Sequence, residues 1–201
     1  MNKRFFYSVI AVMTVFFTAC SPPHYCPEIR DWNIAEVRIT THTSRPSEGI
    51  WRISKMLGTV NYENGILDLS FLDSLPIIPD EYLGEWFWLN SSNIIPEGVT
   101  ISDPQARITN LDITAFNAVE QIIGHFSLRN NPADFRDTSW MARFVYADRD
   151  FRITGRARRD LEYDVSLVKG WNIVYHRFGL ITTQKPENEI FEWRYEQMLC
   201  M

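Results

Sequence analysis

A chain of 201 residues is long enough for one domain with a sizeable core, and a formal net charge of −5 argues against a nucleic-acid partner. The 4 histidines and 3 cysteines lack metal-ligand spacing, and no GxSxG, HExxH, Walker or dinucleotide fingerprint occurs. No catalytic residue, metal ligand or cofactor is therefore assigned, and a non-enzymatic role is expected.

In chain order the first signal is an address. Lys3 and Arg4 precede an uncharged apolar run, Phe5 to Phe17, which ends in Thr18-Ala19-Cys20. The run falls short of the roughly 20 residues that a membrane-spanning helix needs. A basic start, a short apolar stretch and small residues describe a secretory signal. With Cys20 directly after Ala19, Phe17-Thr18-Ala19-Cys20 resembles the lipobox of bacterial lipoproteins, although that family prefers Leu where Phe17 stands. The resemblance implies cleavage after residue 19, lipid on the Cys20 sulfur, and attachment to the bacterial envelope, with the outer membrane expected. Ordinary secretion with cleavage after Ser21 is the main alternative. Losing Lys3 and Arg4 would reduce the 20 basic residues to 18 against 25 acidic, so membrane attachment would come from lipid and not from a basic face.

Residues 20–33, with Pro22, Pro23 and Pro27, read as an extended tether. With Cys20 lipidated, Cys26 and Cys200 form an even pair that could be a disulfide in an oxidising compartment, the alternative being two free thiols. Residues 34–201 are expected to form one β-rich domain. Ala35, Val37 and Ile39 alternate with Glu36, Arg38 and Thr40, and Trp51 and Ile53 repeat the pattern. Asn64-Gly65 suits a hairpin turn before Leu67, Leu69 and Phe71. Pro79 to Gly84 predicts a short helical turn with Gly84 as its stop, and a second turn of helix is expected near Ala118 to Gln121.

Further on, Ile108, Leu111 and Ile113 mark one strand, and Ile122, Gly124, Phe126 and Leu128 one face of the next. Asp148-Arg149-Asp150 is expected to close a hairpin between the strands of Phe144 and Phe151. Lys169-Gly170 is expected to close another between Leu161–Leu167 and Trp171–Tyr175. Phe191, Trp193 and Tyr195 share a face opposite Glu192, Arg194 and Glu196. Close strands with turns between them predict an antiparallel β-sandwich, with a β-barrel as the alternative.

Tyr146-Ala147-Asp148, Ile153-Thr154-Gly155 and Lys169-Gly170-Trp171-Asn172 resemble the C-terminal part of uncharacterised envelope lipoproteins of host-associated bacteria, a resemblance that implies no activity. Trp171 reads as a core anchor beside its turn. Asp148, Asp150 and Asp160 read as turn residues and not as a calcium site. His125 and His176 read as ordinary histidines, the latter on an outward face. Trp86 and Trp88, two residues apart on one side of a strand-like segment, are the candidate binding residues, able to stack on a glycan or engage a protein if they are not core. The expected function is that of a lipid-anchored binding or structural module. An envelope glycan hydrolase would instead need two facing carboxylates, and a lipid carrier a large cavity in a closed barrel.

Overall fold

Alternation of apolar and polar side chains dominates the computed structural model, which describes residues 34–63, 66–68, 70–85, 95–130, 139–157 and 161–197. Every long element is a strand: β1 (Glu36–Arg45), β2 (Ile50–Val60), β3 (Tyr62–Glu63), β4 (Ile66–Leu67), β5 (Val99–Ile101), β6 (Ile108–Phe116) and β7 (Ile122–Arg129). The second half adds β8 (Met141–Ala147), β9 (Phe151–Ala157), β10 (Leu161–Leu167), β11 (Gly170–Arg177), β12 (Leu180–Thr182) and β13 (Glu192–Gln197). β1 shows how sequence becomes layer: Val37, Ile39, Thr41 and Thr43 are buried while their neighbours are half-exposed. No helix among the described residues is long and apolar enough to cross a membrane.

The elements belong to one compact unit with a sandwich-like arrangement. Eleven strands share a sheet that runs β2-β1-β6-β7-β8-β11-β12-β10-β9-β5, with β13 attached to β7. β3 and β4 pair separately. The path ends at β2 and β5 and does not close, so the barrel alternative is not realised. All pairings are antiparallel except β10 with β12.

One core joins β5, β6 and β8 to β12 through Ile101, Ile108, Val145, Ile153, Tyr163, Val165, Val174 and Ile181. Clusters around Leu83, Ile78 and Tyr146 and around Trp140, Ala142 and Tyr175 lie apart from it. Trp171 packs against the first of these. Its ring meets Tyr146 edge-on at 5.4 Å and its Nε1 donates to the carbonyl of Pro76 at 2.9 Å, so the half-buried indole is a packing anchor.

Several local expectations change. β8 does not pair with β9, nor β10 with β11; the hairpins are β9–β10 and β11–β12, and β12 lies between β10 and β11. Asp148 and Asp150 serve the connections, Oδ1 of each accepting a backbone N–H, from Arg107 at 2.9 Å and Lys169 at 2.7 Å. Asn172 Nδ2 likewise ties back the carbonyl of Val168 at 2.7 Å. Phe71 lies in a 3-10 turn, Ser70–Ser74, instead of a strand. Pro79 caps a single 3-10 turn, Asp80–Tyr82, but Gly84 is more than a stop, because it bridges to Ile108 with both backbone bonds at 2.9 Å. A Cβ at Gly84 would strike the carbonyl of Ser44 and Oγ1 of Thr43.

Residues 117–121 are not helical. Asn117 Oδ1 accepts from the N–H groups of Val119 and Gln121, and Glu120 takes φ 61°. At Phe116 the β6–β7 register shifts, which leaves Ile122 exposed and puts Ile123 in the core instead. His176, expected to face outward, is half-buried on the same face as Val174.

Candidate functional site

The three strands β6, β7 and β8 each pair antiparallel with the other two. In a flat sheet that is impossible, since a strand antiparallel to two neighbours makes those neighbours parallel to one another. The strands must therefore meet as a three-way corner. β6 holds β8 along Ile108–Asn110 and β7 along Ile113–Phe116, while Leu128 and Arg129 of β7 swing out to meet Ala142 and Met141 of β8.

Between these three ladders lies an interval of each strand over which none of the three registers runs: Leu111 and Asp112, Ser127, and Arg143 and Phe144. Their outer edges are held, by Thr41 and Thr40 of β1, by Arg194 of β13, and by Val174 and Ile173 of β11. A cleft of about 620 Å³ opens at this seam, within the size range of small-molecule sites.

Residues opposite one another in a ladder share a face, so the register assigns the lining to two sides. One side carries His42, Asn110, Asp112, His125, Ser127, Arg129, Arg143 and Glu196, with Met141 as its one apolar member; the other carries Leu111, Ile113, Phe126, Leu128, Ala142, Phe144 and Trp193. The cleft is thus polar on one side and apolar on the other. Phe144 and Trp193 stack at 6.1 Å with their rings 7° from parallel.

The polar side is internally paired. Arg129 Nε lies 2.6 Å from Glu196 Oε1 and donates to Ser127 Oγ at 3.2 Å, and the Ser127 hydroxyl donates to the same carboxylate. His42 Nδ1 and Asp112 Oδ2 are 3.7 Å apart, with both side chains more than two-fifths exposed. Thr114 Oγ1 and His125 Nδ1 lie 3.3 Å apart. Asn110 Nδ2 donates to the carbonyl of His42 at 3.4 Å. Behind this group, burial and then the guanidiniums of Arg143 and Arg129 push His176 down to about 4.

Glu196 reaches the cleft because β7 and β13 approach closely at Gly124. A Cβ there would strike the Tyr195 ring and the carbonyl of Glu196. Tyr195 in turn donates from its hydroxyl to the carbonyl of Ile123 at 3.0 Å.

Trp86, Trp88, Cys20, Cys26 and Cys200 lie outside the described residues, as does Asp160. Among the described residues no group of three or more His, Cys, Asp or Glu could hold a metal ion. Arg129, Arg143, Asp112 and Glu196 were not candidates from the sequence, where a charged residue on an alternating strand reads as an ordinary solvent face. His42 and His125, 83 positions apart, gave no sign of lining one cavity. No protein-family model, curated protein or solved structure matches the chain.

Proposed function

We propose that the protein is a lipid-anchored binding module of the bacterial envelope, held to the outer membrane through Cys20, with its ligand site in the cleft where β6, β7 and β8 part. The observation that carries the binding reading is that three-way corner. A sheet loses backbone pairing there, and the interval is lined by ionic groups on one side and aromatic and aliphatic side chains on the other. The lipid anchor rests on Lys3, Arg4, the apolar run to Phe17 and the Thr18-Ala19-Cys20 sequence.

A binding role is favoured over glycan hydrolysis by the state of Glu196. Its carboxylate is occupied by Arg129 and Ser127, the arrangement of a fixed acceptor. A lipid carrier would require an enclosed apolar cavity, whereas the sheet path is open and this cleft carries two arginines and two carboxylates. The test is backbone NMR of the mature chain during a screen of small envelope-derived solutes. Saturable shifts concentrated at Asp112, Ser127 and Arg143 are expected. Shifts confined to other surfaces, or turnover of a glycan that Glu196→Gln abolishes, would overturn the reading.

A further inference from the structure

We propose that the cleft binds a small neutral sugar, gripping vicinal hydroxyls with its ionic side and covering the C–H face with its apolar side. This rests on the binding reading and adds the class of ligand. The argument is one of charge matching. Two guanidiniums, Arg129 and Arg143, balance two carboxylates, Asp112 and Glu196, on the same side of the cleft. An anion would meet both carboxylates, and a cation both arginines. A wholly apolar ligand would strip water from four ionic groups and give nothing back.

A zwitterion could match both signs, but the charges are already committed. Glu196 is 2.6 Å from Arg129, so a ligand ammonium or carboxylate there would compete with an ion pair that exists, and Asp112 already has the His42 ring 3.7 Å away. Hydroxyls need no such exchange. Each carboxylate oxygen has more than one lone pair and a guanidinium has 5 N–H donors in a planar fork, so a diol can add hydrogen bonds to paired ions without separating them. A sugar ring also has an apolar C–H face, and the Phe144 and Trp193 side of the cleft supplies its counterpart. Asp112, whose side chain is 45% exposed, and Arg143 are the residues placed to set specificity.

The experiment titrates the ¹⁵N-labelled mature chain with cellobiose and N,N′-diacetylchitobiose. Glucuronate, inorganic phosphate, glucosamine and glycine serve as charged comparisons. Both or either of the neutral disaccharides should shift Asp112, Ser127 and Arg143 saturably. Asp112→Asn should weaken binding about tenfold, the scale of a lost hydrogen bond to a charged group. Arg143→Lys, which keeps charge but loses the fork, should also weaken it while leaving the remaining spectrum in place. If one of the charged probes binds at these residues and the neutral sugars do not, the sugar class is wrong and the cleft stands as a site. If neutral sugars bind elsewhere, or no probe shifts the cleft, the proposal is overturned, and in the second case the binding reading loses its support as well.

Discussion

Single side chains in this domain carry costs that can be measured. Tyr163 is 1% exposed, and its hydroxyl has no hydrogen-bond partner among the described residues. Burial raises its pKa, because a phenolate there would lose its water. Tyr163→Phe removes that buried hydroxyl and should stabilise the fold by about 1 kcal/mol, read from urea midpoints at constant m-value. Trp171 gives the opposite expectation. Trp171→Ala loses the Tyr146 contact and the bond to Pro76 and should cost about 2 to 4 kcal/mol, toward the lower part of the range for large core deletions because the indole is half-buried. A shift no larger than that of surface variants would remove it from the core.

His176 links a residue to pH. Its folded pKa, about 4, lies below its unfolded value of 6.5, so between those values the unfolded chain binds the extra proton. Its contribution is therefore fully present above pH 6.5 and is lost as pH falls towards 4. His176→Gln should flatten the fall of stability across that window by up to about one proton. Chemical denaturation at stepped pH measures it, and an unchanged slope would show that the ring is hydrated in the folded state.

At the scale of elements, the strands were far more legible than their partners. Val37 and Ile39, or Tyr163, Val165 and Leu167, announce buried faces by period-two alternation, and each lies in a strand with that face inward. Alternation says nothing about which strand sits alongside. The short links at Asp148–Asp150 and Lys169 looked like hairpin turns, yet they carry the chain between strands that do not pair: β11, β12 and β10 lie between β8 and β9, and the stretch from Leu180 to Thr182 lies between β10 and β11. One glycine does specify a neighbour. Gly124 lets β13 lie against β7, so Gly124→Val should push Tyr195 and Glu196 away and cost about 1 to 3 kcal/mol through overpacking. Loss of the shifts that ligand produces at Ser127 should accompany the drop in stability, and a fully stable variant with an intact cleft would contradict the close approach.

For the whole molecule, the proposed anchor and the binding domain can be tested apart. Cys20→Ala should abolish palmitate labelling and release the protein from membranes while leaving the β domain's melting temperature unchanged; equal labelling of both forms would refute the lipobox reading. The amino-acid sequence by itself determined the β class, the inward faces of strands such as β1, β9 and β10, and the acidic balance, since these follow from local alternation and composition. Only the tertiary structure decided the order of strands, the open path in place of a barrel, and the cleft. The physical reason is that Arg129, Arg143, Asp112 and Glu196 stand on polar faces that are indistinguishable, one strand at a time, from faces turned to water. They come to line one cleft only where three mutually antiparallel strands cannot lie flat and the sheet parts between them.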